Sequence, residues 1–326
     1  MNNNMKTSVA LCTYNGEQYI KDQLLSILNQ THKVDEIIIC DDCSKDHTID
    51  IIQDCLERER ERERDCVCVC RESEVQVHLI INEKNIGYIR NFEQAILSCT
   101  GDIIFLCDQD DIWEPNKVEI IVQYFSRHPD KKICFTNGCL IDAKGVFLNK
   151  TLFDTFGFRK RQQLLFEKGL ALELFIESNI ATGATMALLT SAIFHFSSFA
   201  DTSKPFIHDE ILCANALDPC HIGYITQSLI RYRIHKGQNL GVDNKLSYHY
   251  RRYPYKTYRR SFLYEALPNL KSSKRLHFYT QRRDTSIVEC FTLWKEYRFF
   301  YGKLSFIFFF SDIAQKTSSF IRRLFS

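Results

Sequence analysis

The sequence predicts an α/β domain with a mostly parallel central sheet flanked by helices, followed by a basic, aromatic helical tail. Three observations carry this. Short apolar runs alternate with helical patterns through the first half of the 326 residues, the order that parallel α/β structure requires. Polar and acidic clusters follow directly on several of those runs, at the sheet edge where such folds bind ligands. The charge divides sharply: from Tyr250 onward 16 Lys and Arg stand against 5 Asp and Glu, and the remainder has 26 against 35. The length suffices for one large core with an appendage, and the expected boundary puts the domain at 1–242 and the tail at 243–326.

The strands are expected at Lys6–Leu11, Glu36–Cys40, Val75–Ile81, Asp102–Leu106 and Lys132–Thr136, each a short run rich in Ile, Val, Leu or Phe. Between the first two, Ile20, Leu24, Ile27 and Leu28 recur at helical spacing. Ser44 is the expected N-cap of the next helix, whose apolar side is Thr48, Ile52, Cys55 and Leu56. Tyr88–Cys99 and Pro115–Arg127 supply two more helices. Glu57–Arg64 reads ERERERER, which favours a solvated helical extension with no catalytic part. In the second half Phe166–Glu177 and Asp209–Ala216 read as helices and Thr182–Leu189 as a buried strand. Ile222–Thr226 and Leu229–Ile234 read as a closing pair of strands.

Fourteen cysteines do not make a disulfide framework at this length. Most sit singly in apolar runs, where cysteine behaves as a small hydrophobe. Cys66, Cys68 and Cys70 alternate with valine and lack the paired spacing of a zinc site. Reduced thiols in a reducing compartment are expected. The N-terminal residues lack a secretory pattern, and no apolar run is long enough to span a bilayer.

The sharpest chemical feature is CDQDDIW at Cys107–Trp113, which follows the run IIFL and precedes a helix. Alternation along an extended chain sends Asp108 and Asp110 to one side and Gln109 to the other. Carboxylates this close repel unless a cation lies between them. Mg²⁺ or Mn²⁺ suits such a site, with substrate phosphate oxygens filling the remaining positions. Asp41 and Asp42 end another strand, and either accept hydrogen bonds from a base or ribose or simply favour the next helix N-terminus. Thr13, Tyr14 and Asn15 end the first strand, with Gly16 free to turn. Neither GxGxxG nor GxxxxGK[ST] occurs, which removes the usual nicotinamide and P-loop readings.

Taken in order, Thr13–Asn15, Asp41–Asp42 with Ser44, Asn85–Gly87 with Arg90–Asn91, and Asp108–Asp111 resemble glycosyltransferase family 2, of the GT-A fold. The resemblance runs from about Thr7 to about Gly241 and is nearest to bacterial rhamnosyltransferase-type enzymes. It implies that Thr13, Tyr14 and Asn15 line the nucleotide pocket, that Asp42 meets the base with Asp41 also in the nucleotide-sugar site, and that Arg90 helps hold the donor. Asp108 and Asp110 would form the metal site that grips the donor diphosphate. Asp209, at a helix start in FIHDEIL, would be the base that deprotonates an acceptor hydroxyl, with Glu210 second; a helix-capping carboxylate is the alternative. Gly183 would let the backbone approach the sugar, or mark a tight strand crossing. His235 would add an imidazole to the metal or touch the diphosphate, and Arg233 or Lys236 would steady the leaving group.

The implied reaction moves rhamnose or another hexose from a dTDP- or UDP-sugar to a glycan or lipid-linked acceptor with inversion, in bacterial cell-surface polysaccharide synthesis. In the tail, Arg251, Arg252, Arg259 and Arg260 interleave with tyrosines, and an aromatic cluster stands near its end. This suits peripheral contact with anionic lipid at the inner face of the plasma membrane, ahead of an ordinary helical subdomain; a nucleic-acid partner is not expected. The rivals are a sugar-1-phosphate nucleotidyltransferase, whose basic glycine-rich loop is missing from CTYNGEQY, and a non-catalytic sugar-nucleotide-binding scaffold on a membrane.

Overall fold

The computed structural model describes residues 5–65, 75–171, 174–175, 179–195, 208–215 and 221–238. The tail and the Cys66–Cys70 run lie outside the described residues. In chain order the first half is β1 (Thr7–Thr13), α1 (Ile20–Leu28), β2 (Glu36–Asp41), α2 (Thr48–Asp65), β3 (Gln76–Ile81), α3 (Tyr88–Ser98), β4 (Ile103–Asp108), β5 (Ile112–Trp113) and α4 (Lys117–Arg127). The second half adds β6 (Ile133–Ile141), β7 (Phe147–Thr151), α5 (Leu152–Phe156), α6 (Lys160–Leu165), a one-turn helix at Gly183–Thr185, β8 (Met186–Leu189), α7 (His208–Asn215) and β9 (Ile222–Arg233).

The nine-stranded sheet runs β3-β2-β1-β4-β8-β6-β9-β5, with β7 paired to β6. β1 to β4 are parallel neighbours, and the antiparallel β8 joins them to β6. Strands that are apolar on both sides need cover on both faces, and alternate residues supply it. Val9, Leu11, Ile37, Ile39 and Phe105 pack with α1 and α4, through Leu24, Ile27, Val118 and Ile121. Ala10, Cys12, Ile38, Cys40, Ile104 and Leu106 face the other way, toward Phe92, Ala95 and Ile96 of α3. Sandwiched in this way, β1 and β2 are buried along their whole length.

Several local expectations are met and three are corrected. The ERERERER tract does extend α2, with Arg58, Arg60 and Arg62 exposed and Arg62 paired with Glu59 within the helix. Ser44 does not cap that helix: Thr48 opens it, with its N–H donated to Asp46, because Ser44 is already engaged with Asp41. The buried segment at Thr182–Leu189 is a strand only from Met186, the preceding three residues forming a tight turn. The expected closing pair is one strand, β9, of 12 residues. It lies parallel to β6, and the exposed Thr226 and Gln227 bulge out where the register shifts between Ile225 and Ser228. The gap that the sequence leaves at Gln227 and Ser228 is here part of an interruption within one strand. No helix among the described residues is long and apolar enough to cross a membrane.

Candidate active site

Register brings the polar clusters to one edge: Thr13 lies opposite Asp41, and Cys12 opposite Asp108. Thr13 donates its hydroxyl to Asp41 Oδ2 at 2.8 Å, and Ser44 donates both its N–H and its hydroxyl to the same carboxylate. Asn15 N donates to Ser44 Oγ, and Lys45 N to Asn15 Oδ1, each at 2.8 Å. The loops after β1 and β2 are therefore laced together by the side chains that mark them in sequence. Asp42 accepts the N–H groups of Ile86 and Gly87, at 2.7 and 2.9 Å. Those amides open α3, so Asp42 sits where the helix dipole favours an anion. Arg90, on the first turn of α3, pairs with Glu93 at 2.7 Å. Tyr14 is open to solvent, 37 % exposed.

The acidic segment is held from two sides. Gln109 accepts from Tyr14 N at 2.8 Å and donates to Tyr14 O at 3.1 Å, clipping the segment to the β1 loop. Gly16 makes room for this clip, since a Cβ there would stand 2.3 Å from Gln109 Oε1. From the far side Arg233, at the end of β9, donates N–H to Asp111 Oδ1 at 2.9 Å and Nε–H to the carbonyl of Asp110 at 2.8 Å. Its guanidinium lies over the Tyr19 ring, 4.6 Å from the centroid. His235 Nε2 is 2.7 Å from Asp110 Oδ2, and its Nδ1 accepts from Gly237 N at 3.2 Å. With Nδ1 accepting, the ring proton belongs on Nε2, so this tautomer orients Asp110. Arg233, expected as an aid to the leaving group, is only 3 % exposed and acts as a brace.

Asp209 lies in the first turn of α7 and is buried. Its Oδ2 accepts from Asn179 Nδ2 and from Gly183 N, both at 3.0 Å. Glu210 follows it in α7. Beside Asp209, His208 stacks on Phe92 with centroids 4.0 Å apart. Burial pushes its imidazole down to about 3, so it is neutral, and neither ring nitrogen has a hydrogen-bond partner. The tight approach at Gly183 is to this ring: a Cβ would stand 2.5 Å from His208 Nε2. Gly183→Ala is therefore expected to destabilise the fold by about 1–3 kcal/mol. Calorimetry should show a melting temperature lower by several degrees, partly restored when His208→Ala is added.

The electrostatics gather the acids into one group. Burial, then the charges of Asp110 and Asp209, raise the carboxyl of the half-buried Asp108 to about 7. Asp111 is pushed up by burial and by Asp110 and Asp108, and its Oδ2 has no hydrogen-bond partner. Among the described residues no three His, Cys, Asp or Glu side chains converge as a ready-made metal site. Two carboxylates with room for outside oxygens are the donor set that Mg²⁺ and Mn²⁺ accept when phosphate and water complete the shell. His235 would join that set through Nε2 in its other tautomer, with the proton moved to Nδ1 and the Gly237 bond given up.

Parallel strands ending in a polar edge, a reversal through β8 into a mixed half, and acids at the end of β4 define the GT-A class of nucleotide-diphospho-sugar transferase folds. The family model for Glycosyl transferase family 2 matches residues 8–194, more than half of the chain, and the protein belongs to that family. Among curated relatives it is similar to an uncharacterized glycosyltransferase of Haemophilus influenzae, at 30 % identity over 128 residues, 39 % of this chain and 35 % of the relative. It is also similar to the putative teichuronic acid biosynthesis glycosyltransferase TuaG of Bacillus subtilis, at 31 % identity over 143 residues, 44 % of this chain and 50 % of the relative. The chain thus spans between a third and a half of the length of these relatives. Among solved structures, S. aureus TarS 1–349 matches with a TM-score of 0.50 and 19 % identity, covering 70 % of this chain and 60 % of that one. Its complex with UDP-GlcNAc matches with a TM-score of 0.50 and 17 % identity, covering 86 % and 76 %. These structures share the fold. Asp209, Arg233 and His235 lie beyond the family match.

Proposed function

We propose that the chain transfers a hexose from a nucleoside-diphosphate donor to a glycan or lipid-linked acceptor with inversion, at the cytoplasmic face of a membrane. The observation that carries this is that Asp108 and Asp110 stand at the end of β4, while Asp209 is bonded to Gly183 just ahead of β8, the strand paired with β4. Asp108 and Asp110 would hold Mg²⁺ or Mn²⁺, with His235 as the third protein ligand. When bound, the cation would neutralise charge on the departing diphosphate. Thr13, Tyr14, Asn15, Asp41, Asp42 and Arg90 belong to the loops against which the nucleotide would lie, Tyr14 offering the open ring. Asp209 would take the acceptor's proton as its oxygen attacks the anomeric carbon, and one displacement inverts that carbon.

The carboxylate is well prepared for that task, because Asn179 and Gly183 both donate to Oδ2 and so fix its plane. A UDP-sugar donor is supported by the structural likeness to TarS, which was crystallised with UDP-GlcNAc; dTDP-sugars, with rhamnose among them, are to be tried beside it. A role in cell-surface polysaccharide synthesis is supported by the likeness to TuaG. The test is a panel of dTDP- and UDP-sugars with and without Mn²⁺ or Mg²⁺, read as release of nucleoside diphosphate and as transfer to acceptor. One donor turned over in a metal-dependent way is the expected result. If no donor binds or turns over under any metal, the transferase reading is wrong.

A further inference from the structure

The loop after β1 is hung by its main chain from side chains that come from two places. Four consecutive N–H groups donate: Tyr14 to Gln109 Oε1 at 2.8 Å, Asn15 to Ser44 Oγ at 2.8 Å, Gly16 to Thr48 Oγ1 at 2.7 Å and Glu17 to Asp46 Oδ2 at 3.1 Å. Ser44, Asp46 and Thr48 belong to the stretch between β2 and the start of α2. Gln109 comes instead from the acidic motif, between Asp108 and Asp110. β1 and β4 pair as far as Cys12 opposite Asp108. Beyond that point the half-buried Gln109 side chain continues the link, since its Nε2 also donates to the Tyr14 carbonyl at 3.1 Å. A carboxamide accepts and donates from one flat group, which an ionised carboxylate cannot do. Gly16 keeps the space for it: a Cβ there would stand 2.3 Å from Oε1 and 2.6 Å from Cδ of Gln109. The Gly16 backbone has no positive φ, so the glycine supplies room and not a special turn.

We propose that Gln109 is a positioning residue for the nucleotide: its amide fixes the main chain that carries the Tyr14 ring and ties it to the segment bearing Asp108 and Asp110. This rests on the reading of Tyr14 as part of the nucleotide pocket and of the two acids as the site of the diphosphate and its cation. Base and diphosphate belong to one molecule, so a tie between their two holders sets the spacing of those holders in advance. Such preorganisation lowers the cost of ordering the loop when the nucleotide arrives. Without the amide, the N–H and C=O of Tyr14 turn to water, and part of the ring's stacking is offset by ordering the loop. The acids keep their own brace, because Asp110 O and Asp111 are held by Arg233. Nucleotide affinity therefore falls while cation affinity stays.

The test uses the full chain, titrated by calorimetry with Mn²⁺ alone and then with UDP and with dTDP in the presence of Mn²⁺. Gln109→Ala is expected to weaken nucleotide binding about tenfold and to leave Mn²⁺ binding within about threefold. Gly16→Ala should do the same by crowding the amide, and should add less than about twofold once position 109 is alanine and the crowding is relieved. Tyr14→Ala should cost about tenfold in the wild type, the scale of one base stacked on an aromatic ring, and less than about threefold in Gln109→Ala. With wild-type nucleotide binding intact, independent losses at Tyr14 and Gln109, or unchanged nucleotide affinity in Gln109→Ala, overturn the proposal and leave the site reading standing. A parallel loss of Mn²⁺ binding in Gln109→Ala marks a merely structural role and also overturns it. Failure of the wild type to bind either nucleotide overturns both. Should Gln109→Ala not fold, Gly16→Ala and its combination with Tyr14→Ala carry the same test.

Discussion

Asp209→Asn is expected to lower kcat by about 10³-fold while leaving the donor's dissociation constant nearly unchanged, since positioned proton transfer contributes roughly 10²–10⁴. The substitution is close to isosteric, and an asparagine carbonyl can still accept from Asn179 and Gly183, which now meet at Oδ2. The turn at Gly183 and the start of α7 should therefore keep their places, and the loss should report the missing base. Steady-state kinetics with the preferred donor, with donor binding by calorimetry beside it, separates the two quantities. Retention of more than about a tenth of kcat would remove Asp209 as the base, because the contribution expected of a base is far larger, and would move attention to Glu210.

The second large effect is expected at Asp110. Asp110→Ala should abolish measurable Mn²⁺ binding and reduce kcat/KM by about 10²-fold or more, the scale seen when one stabilising group for developing charge is removed. The structure makes this a clean experiment, because the main chain at Asp110 stays tied: its carbonyl accepts from Arg233 Nε, and Asp111 accepts from Arg233 N. What is lost is the carboxylate and its bond to His235 Nε2. His235→Ala should weaken Mn²⁺ binding less than Asp110→Ala does, if the imidazole assists a site that the carboxylates hold. Equal metal binding by wild type and Asp110→Ala would contradict the assignment of the cation to this loop.

Much of the first half was legible because its signals are local. A run such as EIIIC is a strand within its own residues, and the acids that follow it fall at the sheet edge by the arithmetic of alternation. The ends drift by a residue or two, as β4 shows by continuing through Asp108. What could not be read depends on partners distant in sequence. Ser44 has the composition of a cap, but its hydroxyl answers to Asp41 and Asn15, which only the paired loops bring near. Gln109 looks like filler between aspartates until β1 and β4 are set side by side; the glycine at 16 was its one trace in sequence. Lys117 reads as an ordinary surface lysine on an amphipathic helix, and no periodicity says that it points at Ala184. The bulged β9 failed for the opposite reason: the polar Gln227 and Ser228 break the apolar run and read as a connection between two strands, which the long pairing with β6 overrides.

The place of β9 also has a consequence for the order in which the molecule can be completed. Among the described residues β5 has a single strand neighbour, β9, through Ile112 opposite Arg231 and Trp113 opposite Ile230. During synthesis the acidic segment therefore emerges long before the strand that braces it, by more than a hundred residues or roughly ten seconds at ribosomal speed. Over that interval the parallel strands β1 to β4 can assemble from near neighbours, while Asp110 and Asp111 wait without Arg233. Closing contacts so far apart in the chain is slow. The parallel framework of β1 to β4 can thus form early, and the acidic segment is braced only when the last described strand slides in beside β6.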